Sequence, residues 1–211
     1  MLLDAARLDA LKRYPKDAGE DLILRPMVTD DRSALVSFFR RIPAEERRLF
    51  KDDVRDPWVI DRWIRELDYL KVLPLVVTQG YRIVADATLH RDRRGWARHV
   101  ARIRLSVDPD FRALDLSRLL IKEFIELAPE LEVAILDAEV LTDQKEAIRI
   151  YESLGFQCIA ALPHHAFDFT DRLHDVAIYS YAVTSPEKMM KGAARSEEDS
   201  DIGGGQIFAP S

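Results

Sequence analysis

One stretch of the chain constrains everything around it: Val107-Asp108-Pro109-Asp110-Phe111-Arg112, followed by Ala113-Leu114-Asp115-Leu116-Ser117-Arg118-Leu119-Leu120. An apolar strand runs into a proline, which cannot continue it. A short turn follows, and apolar residues at 116, 119, 120 and 124 then recur at helical spacing. A strand that passes through a tight turn into a helix leaves the first helical N–H groups without partners, and the helix dipole places positive charge there. Such a junction suits phosphate oxygens.

The rest of the chain fits one domain with extensions. It has 211 residues, of which 47% are apolar and 9% aromatic, enough to build a core. No apolar run reaches the ~18 residues that a membrane span requires. The N-terminus, Met-Leu-Leu-Asp-Ala-Ala-Arg, lacks the layout of a signal peptide. Cys158 is the single cysteine, so no internal disulfide forms, and a cytoplasmic protein is expected. A net charge of −6 argues against nucleic acid as a partner. Within this acidic total, Arg91, Arg93, Arg94, Arg98, His99, Arg102 and Arg104 crowd one region. They read either as a solvated hairpin or as a patch that faces an anion.

Residues 1 to 14 are expected to form a helix on Leu3, Leu8 and Leu11, followed by a polar linker to residue 20. A folded domain is expected over 21–183, and a disordered tail over 184–211, where an acidic run precedes three glycines. Inside the domain the order reads β-α-α-α-β-β-β-α-β-α-β-β. Thr29-Asp30-Asp31 offers an N-cap for the first helix. Val72 to Thr78 is apolar throughout, as for a strand covered on both faces. Gly155 is placed to end the last helix. The fold class is α+β, a mixed and mostly antiparallel sheet with helices on both faces.

The 107–118 junction resembles the acetyl-CoA loop of the GNAT N-acetyltransferase superfamily, where Val-Asp-Pro-x-Tyr/Phe-Arg precedes a glycine-rich turn. A second segment, Leu136-Asp137-Ala138-Glu139-Val140 followed by Gln144, Ala147, Tyr151, Gly155 and Phe156, is similar to the C-terminal signature of that family. Gln144 stands where the family usually has asparagine. The resemblance covers nearly the whole domain. It implies acetyl-CoA as co-substrate and an amine as acceptor, either a small molecule or a protein amine, with no metal. It implies that backbone at Leu105, Ser106 and Val107 holds the pantetheine arm. The N–H groups of Ala113, Leu114, Asp115, Leu116, Ser117 and Arg118 hold the pyrophosphate, with the cations of Arg112 and Arg118 beside them, and Gln144 takes the asparagine position. It also implies Tyr151 as general acid toward the leaving thiolate and Glu139 as general base.

The chemistry asks for such groups. An amine attacks a thioester only as its free base, so a proton must be removed. The oxyanion that forms wants N–H donors. Each assignment has a plainer rival. Tyr151 lies on the apolar stripe of its helix, and Glu139 at a strand end can pair with an arginine. Arg102 stands at another family position for the base, and an arginine cannot serve as one. Cys158 reads as a core residue rather than a nucleophile. His164-His165 and His174-Asp175 lack metal-ligand spacing.

The loop departs from the family pattern at Asp115 and Ser117, where glycine and Gly/Ala are usual. Aspartate tolerates left-handed φ, but its carboxylate lies where pyrophosphate is expected, unless it serves as an N-cap. Two readings therefore stand: an acyl-CoA-dependent N-acyltransferase, and a non-enzymatic GNAT-like binding module. A homodimer is left open.

Overall fold

The computed structural model describes residues 12–15 and 21–184. Residues 1–11 of the expected N-terminal helix, the linker and residues 185–211 of the expected tail lie outside them. Eight strands form one sheet: β1 (Lys12–Pro15), β2 (Asp21–Pro26), β3 (Val72–Gln79), β4 (Arg82–Arg91), β5 (Val100–Val107), β6 (Ile135–Leu141), β7 (Gln157–Phe167) and β8 (Leu173–Ala182). Their order across the sheet is β1-β2-β3-β4-β5-β6-β8-β7. The helices are α1 (Arg32–Arg41), α2 (Ala44–Arg47), α3 (Pro57–Arg65), α4 (Leu116–Leu127) and α5 (Lys145–Ser153). From β2 onward this is the order expected from the sequence. The strand Lys12–Pro15, paired with β2, replaces the end of the helix expected over residues 1 to 14.

Two apolar clusters sandwich the sheet. On one face Leu120, Ile121 and Phe124 of α4 and Tyr151 of α5 pack on the inner residues of the strands. On the other, Leu35, Phe38 and Phe39 of α1 and Ile60 of α3 pack on Val76 and Ile83. β3 is buried through its interior because it lies under both layers. A bulge at Val77/Thr78 shifts its register with β4. The shift lets Val84 and Ala85 both join the α4–α5 layer and returns Asp86 to the α1–α3 face, opposite Val76.

Two local expectations are corrected. Thr29-Asp30-Asp31 forms a 3-10 turn, and Asp31 does not cap α1 through its side chain. Its carboxylate instead takes two hydrogen bonds from Arg25, both 2.6 Å, and one from the Val28 amide, 2.9 Å. Cys158, expected in the core, is exposed. It lies on β7, the edge strand, which no helix covers and whose residues are mostly exposed.

β5 and β6 are the only parallel pair among the described strands. They pair over four positions only, from Val100↔Ile135 to Ile103↔Ala138. Beyond that, Arg104–Val107 stays with β4, while Glu139–Leu141 stays with β8. The sheet opens there into a notch with backbone polar groups on its walls.

Asp108 fixes the end of β5. Its amide donates to the Val84 carbonyl, 2.9 Å. Its buried carboxylate accepts from Arg41 of α1, 2.6 Å, from Arg82 of β4, 2.9 Å, and from the Asp110 amide, 3.2 Å. Burial pushes its pKa up, but the two arginines and the amide outweigh burial and hold it below the usual carboxylate range. The stabilisation is therefore full above pH ~4 and is lost as pH falls through the lowered folded value. Asp108→Asn leaves two arginines facing a neutral group. It is expected to cost about 3 kcal/mol, a fall in melting temperature of roughly 6–12 °C, with the difference from wild type vanishing in acid. Thermal melts across pH check this.

Candidate active site

The notch opens toward the N-terminus of α4. Between β5 and α4 runs a 3-10 turn, Pro109–Leu114, capped by the Asp108 side chain. Asp115 follows at φ 54°, ψ 31°, in the left-handed region. The first helical hydrogen bond runs from Leu119 N to Asp115 O. The amides of Leu116, Ser117 and Arg118 therefore precede the hydrogen-bonded helix and face outward. They lie beside the unpaired edge of Leu105–Val107. The junction read from the sequence thus has the geometry expected of it.

The side chains of the loop are spent in ways the sequence did not reveal. Asp115 makes no capping bond, which corrects the N-cap reading. It accepts from Arg118 Nε at 2.7 Å instead. Arg118 also donates to Ser153 Oγ, tying the loop to the end of α5. Arg112 is held by Glu46 of α2 at 2.6 Å. Gln144 precedes α5 and accepts from the Leu141 amide at 3.2 Å through Oε1, closing the end of β6.

Tyr151 and Glu139 lie on opposite faces of the sheet. Tyr151 is buried in the α4–α5 layer, edge-on to Phe156 with ring centroids 5.1 Å apart. Burial pushes its pKa up, so it stays protonated. Gly155 follows at φ 91°, and a Cβ there would stand 3.4 Å from the Tyr181 ring. The contact is an ordinary one, and it is the positive φ that explains the glycine that ends α5. Glu139 points to the α1–α3 side. There Lys51 bonds its carboxylate, and Arg102 stands 3.8 Å away. Burial raises the Glu139 pKa, but Lys51, Arg102 and Arg104 outweigh burial and lower it.

On that same face the register assembles a polar row. Asp86 of β4 lies opposite Ser106 of β5, Thr88 opposite Arg104, and His90 opposite Arg102. Opposed residues of paired strands share a face, and so do residues two apart. Asp86 forms no hydrogen bond or ion pair among the described residues, and burial pushes its pKa up to about 7. His90 is pushed down to about 4, by burial and then by Arg104, and shares a hydrogen bond of 3.0 Å with Thr88. The sequence reading missed Asp86. The one available signal was a lone acid in the apolar run Ile83-Val84-Ala85-Asp86-Ala87. Ser106, its partner, lies on the unpaired wall of the notch, so Asp86 sits one strand away from it.

The arginine-rich region divides. Arg93, Arg94 and Arg98 are exposed around the turn, while Arg91 is half-buried on the Tyr69 and Leu131 carbonyls. Arg102 and Arg104 belong to the polar row. The histidines weighed as ligands brace the β7–β8 hairpin: His174 bonds Asp168 at 3.1 Å, and the His164 amide bonds Asp175 at 2.8 Å.

The Acetyltransferase (GNAT) family model matches residues 38–156. The chain belongs to the GNAT acetyltransferase family. No curated protein matches it. Among solved structures, an acetyltransferase of the GNAT family from Streptococcus pneumoniae superposes with a TM-score of 0.66 at 19% identity, over 76% of this chain and 99% of its own. The yncA protein of Salmonella typhimurium, solved with its cofactor acetyl-CoA, gives 0.64 at 19%, over 78% and 95%. A ribosomal-protein-alanine N-acetyltransferase from Brucella melitensis gives 0.64 at 20%, over 75% and 98%. At these identities the likeness is one of fold. No helix among the described residues is long and apolar enough to cross a membrane.

Asp115 makes the left-handed turn at the start of α4 and its carboxylate holds Arg118. The carboxylate occupies Arg118, which otherwise faces the same helix terminus as the free amides. Asp115→Asn keeps a side chain that tolerates left-handed φ and removes the charge. If the pyrophosphate of acetyl-CoA docks at this helix terminus, the variant is expected to tighten acetyl-CoA binding about tenfold for each ~1.4 kcal/mol of repulsion relieved, with a gain that shrinks in high salt, and unchanged affinity overturns that placement. Asp115→Gly is expected to match it. Calorimetric titration at two salt concentrations checks both.

Proposed function

We propose that the protein transfers an acetyl group from acetyl-CoA to the nitrogen of an amine by direct attack, with Asp86 as the general base. The observation that carries this reading is an unpartnered carboxylic acid, its pKa near neutrality, opposite Ser106 on the β5 wall of the notch between β5 and β6. A base works best when its pKa lies near the operating pH. Glu139 is less suited, because its charge is already held by Lys51 and Arg102. It instead orders the wall of the site.

The residues fit acetyl-CoA. The free amides of Leu116 to Arg118 face the pyrophosphate, and the unpaired edge of Leu105 to Val107 takes the pantetheine arm as an added strand would. The amine enters from the α1–α3 face and gives its proton to Asp86. Its nitrogen then attacks the thioester carbon, a C–N bond forms, and the oxyanion is met by backbone N–H groups of the notch. The C–S bond breaks and the sulfur leaves. Tyr151, with its raised pKa, is a weak acid against a thiolate whose own pKa is ~8.5. It serves the departing sulfur as a hydrogen-bond donor; the second proton of the attacking nitrogen passes to the sulfur, giving the amide and the free thiol, and the proton that Asp86 collected leaves to solvent.

Three measurements test this. Acetyl-CoA at a hundred times its Kd is expected to add about 2.7 kcal/mol of stability, visible as a rise in melting temperature of several degrees. Absence of any rise at millimolar concentration leaves the binding-module reading. Asp86→Asn is expected to lower the rate at neutral pH by about a hundredfold or more and to abolish the acidic limb of the pH–rate profile near pH 7. Because the folded pKa of Asp86 is raised, the native acid favours folding only at low pH and opposes it as pH rises through that value. The asparagine variant should therefore melt higher than wild type above pH 7, which separates loss of a base from loss of the fold. Tyr151→Phe is expected to lower kcat about ten- to a hundredfold with acetyl-CoA affinity unchanged.

A further inference from the structure

We infer that the acceptor carries a carboxylate close to its amine, as an amino acid or a short peptide does, and that Arg102 and Arg104 bind that carboxylate. The inference rests on the proposed acetyl transfer and adds the chemical class of the substrate. Arg102 and Arg104 stand two apart on β5, on the face that holds Asp86 and Ser106. Ser106 is the next residue in that row, about 7 Å beyond Arg104. An amine at Asp86 and an anion at the two guanidinium groups are therefore a short molecule apart.

The two arginines differ from the others that shape the fold. Arg25, Arg41, Arg82 and Arg112 each donate hydrogen bonds to carboxylates at 2.6–2.9 Å. Arg102 and Arg104 donate none to the described residues. Arg102 has only an ion pair of 3.8 Å with Glu139, and Arg104 one of 3.6 Å with Asp52, both beyond hydrogen-bond reach. Their side chains are 63% and 41% exposed, so the guanidinium forks keep donors for a ligand. The two acids do not need them. Lys51 already bonds Glu139, and Arg62 bonds Asp52 at 3.1 Å.

Beside these arginines on the same face lie Lys51 and the acids Glu139, Asp52 and Asp137. His90, the register partner of Arg102, is neutral at pH 7, its pKa lowered first by burial and then by Arg104, with Lys51 and Arg102 adding to the effect and Asp52 opposing it. Asp137, opposite Arg102 on β6, has its Oδ1 shut from solvent and without a hydrogen bond. The planar fork of arginine matches a carboxylate with two parallel hydrogen bonds, which an amide or ester cannot accept with the same strength.

The test uses free amino acids beside their C-terminal amides, with thiol release from acetyl-CoA as the readout and calorimetry for acetyl-CoA binding. The free acids are expected to show KM values about tenfold or more below those of the amides. In Arg102→Gln and Arg104→Gln the difference should shrink, while acetyl-CoA affinity and melting temperature hold. If wild type fails to bind acetyl-CoA, the acetyl-transfer reading falls and takes this inference with it. If acetyl-CoA binds, then equal KM values in the two series overturn the carboxylate inference alone. So does turnover confined to amines without an anion, and so does no turnover in either series.

Discussion

The site depends on the parting of β5 from β6, and the parting depends on where the backbone of each strand is already committed. After Ile103, β5 keeps its ladder with β4 to the last residue, and Asp108 extends that hold through its amide and its two arginines. After Ala138, β6 keeps its ladder with β8. Because β5 follows β4 and β6 follows β8, the two strands diverge and their facing edges stay unpaired. A buried carboxylate with two guanidinium partners is costly to form and costly to break. Its place at the end of β5 makes that end stiff, so the notch is a fixed feature of the fold.

The sheet then separates the two halves of the chemistry. Tyr151 and the N-terminus of α4 belong to one face, and Asp86, Arg102, Arg104 and Glu139 to the other. On the proposed reading, a thioester in the notch would meet the α4 amides and the Tyr151 hydroxyl from one side and the attacking amine from the other. The bulge at Val77/Thr78 is small but decisive here, since without it the alternation along β4 would turn Asp86 toward the α4–α5 core.

Asp115 shows how a residue that breaks a local pattern is accommodated. Its left-handed backbone does what glycine would do, at a modest steric cost. Its charge is met by Arg118, three residues on, in a pair that also reaches α5 through Ser153. The turn is kept, and the positive charge of Arg118 at the start of α4 is met by a carboxylate.

The sequence by itself determined the strand–turn–helix junction, the element order from β2 to β8 and the family. These rest on local signals: a proline that stops a strand, apolar spacing in α4 and α5, and Gly155 where φ must be positive. Only the tertiary structure decided which charged groups face the reaction. Asp86 looks like an irregularity in an apolar strand until the register sets it opposite Ser106. Glu139 looks like a free base until Lys51, 88 residues away in the chain, is folded against it. Cys158 reads as core until the sheet order leaves β7 at the edge. In each case the deciding contact joins residues far apart in sequence, and a pKa or a burial is a property of such contacts. A spacing along the chain carries the shape of the backbone, and the electrostatics of the site are set by what that backbone brings together.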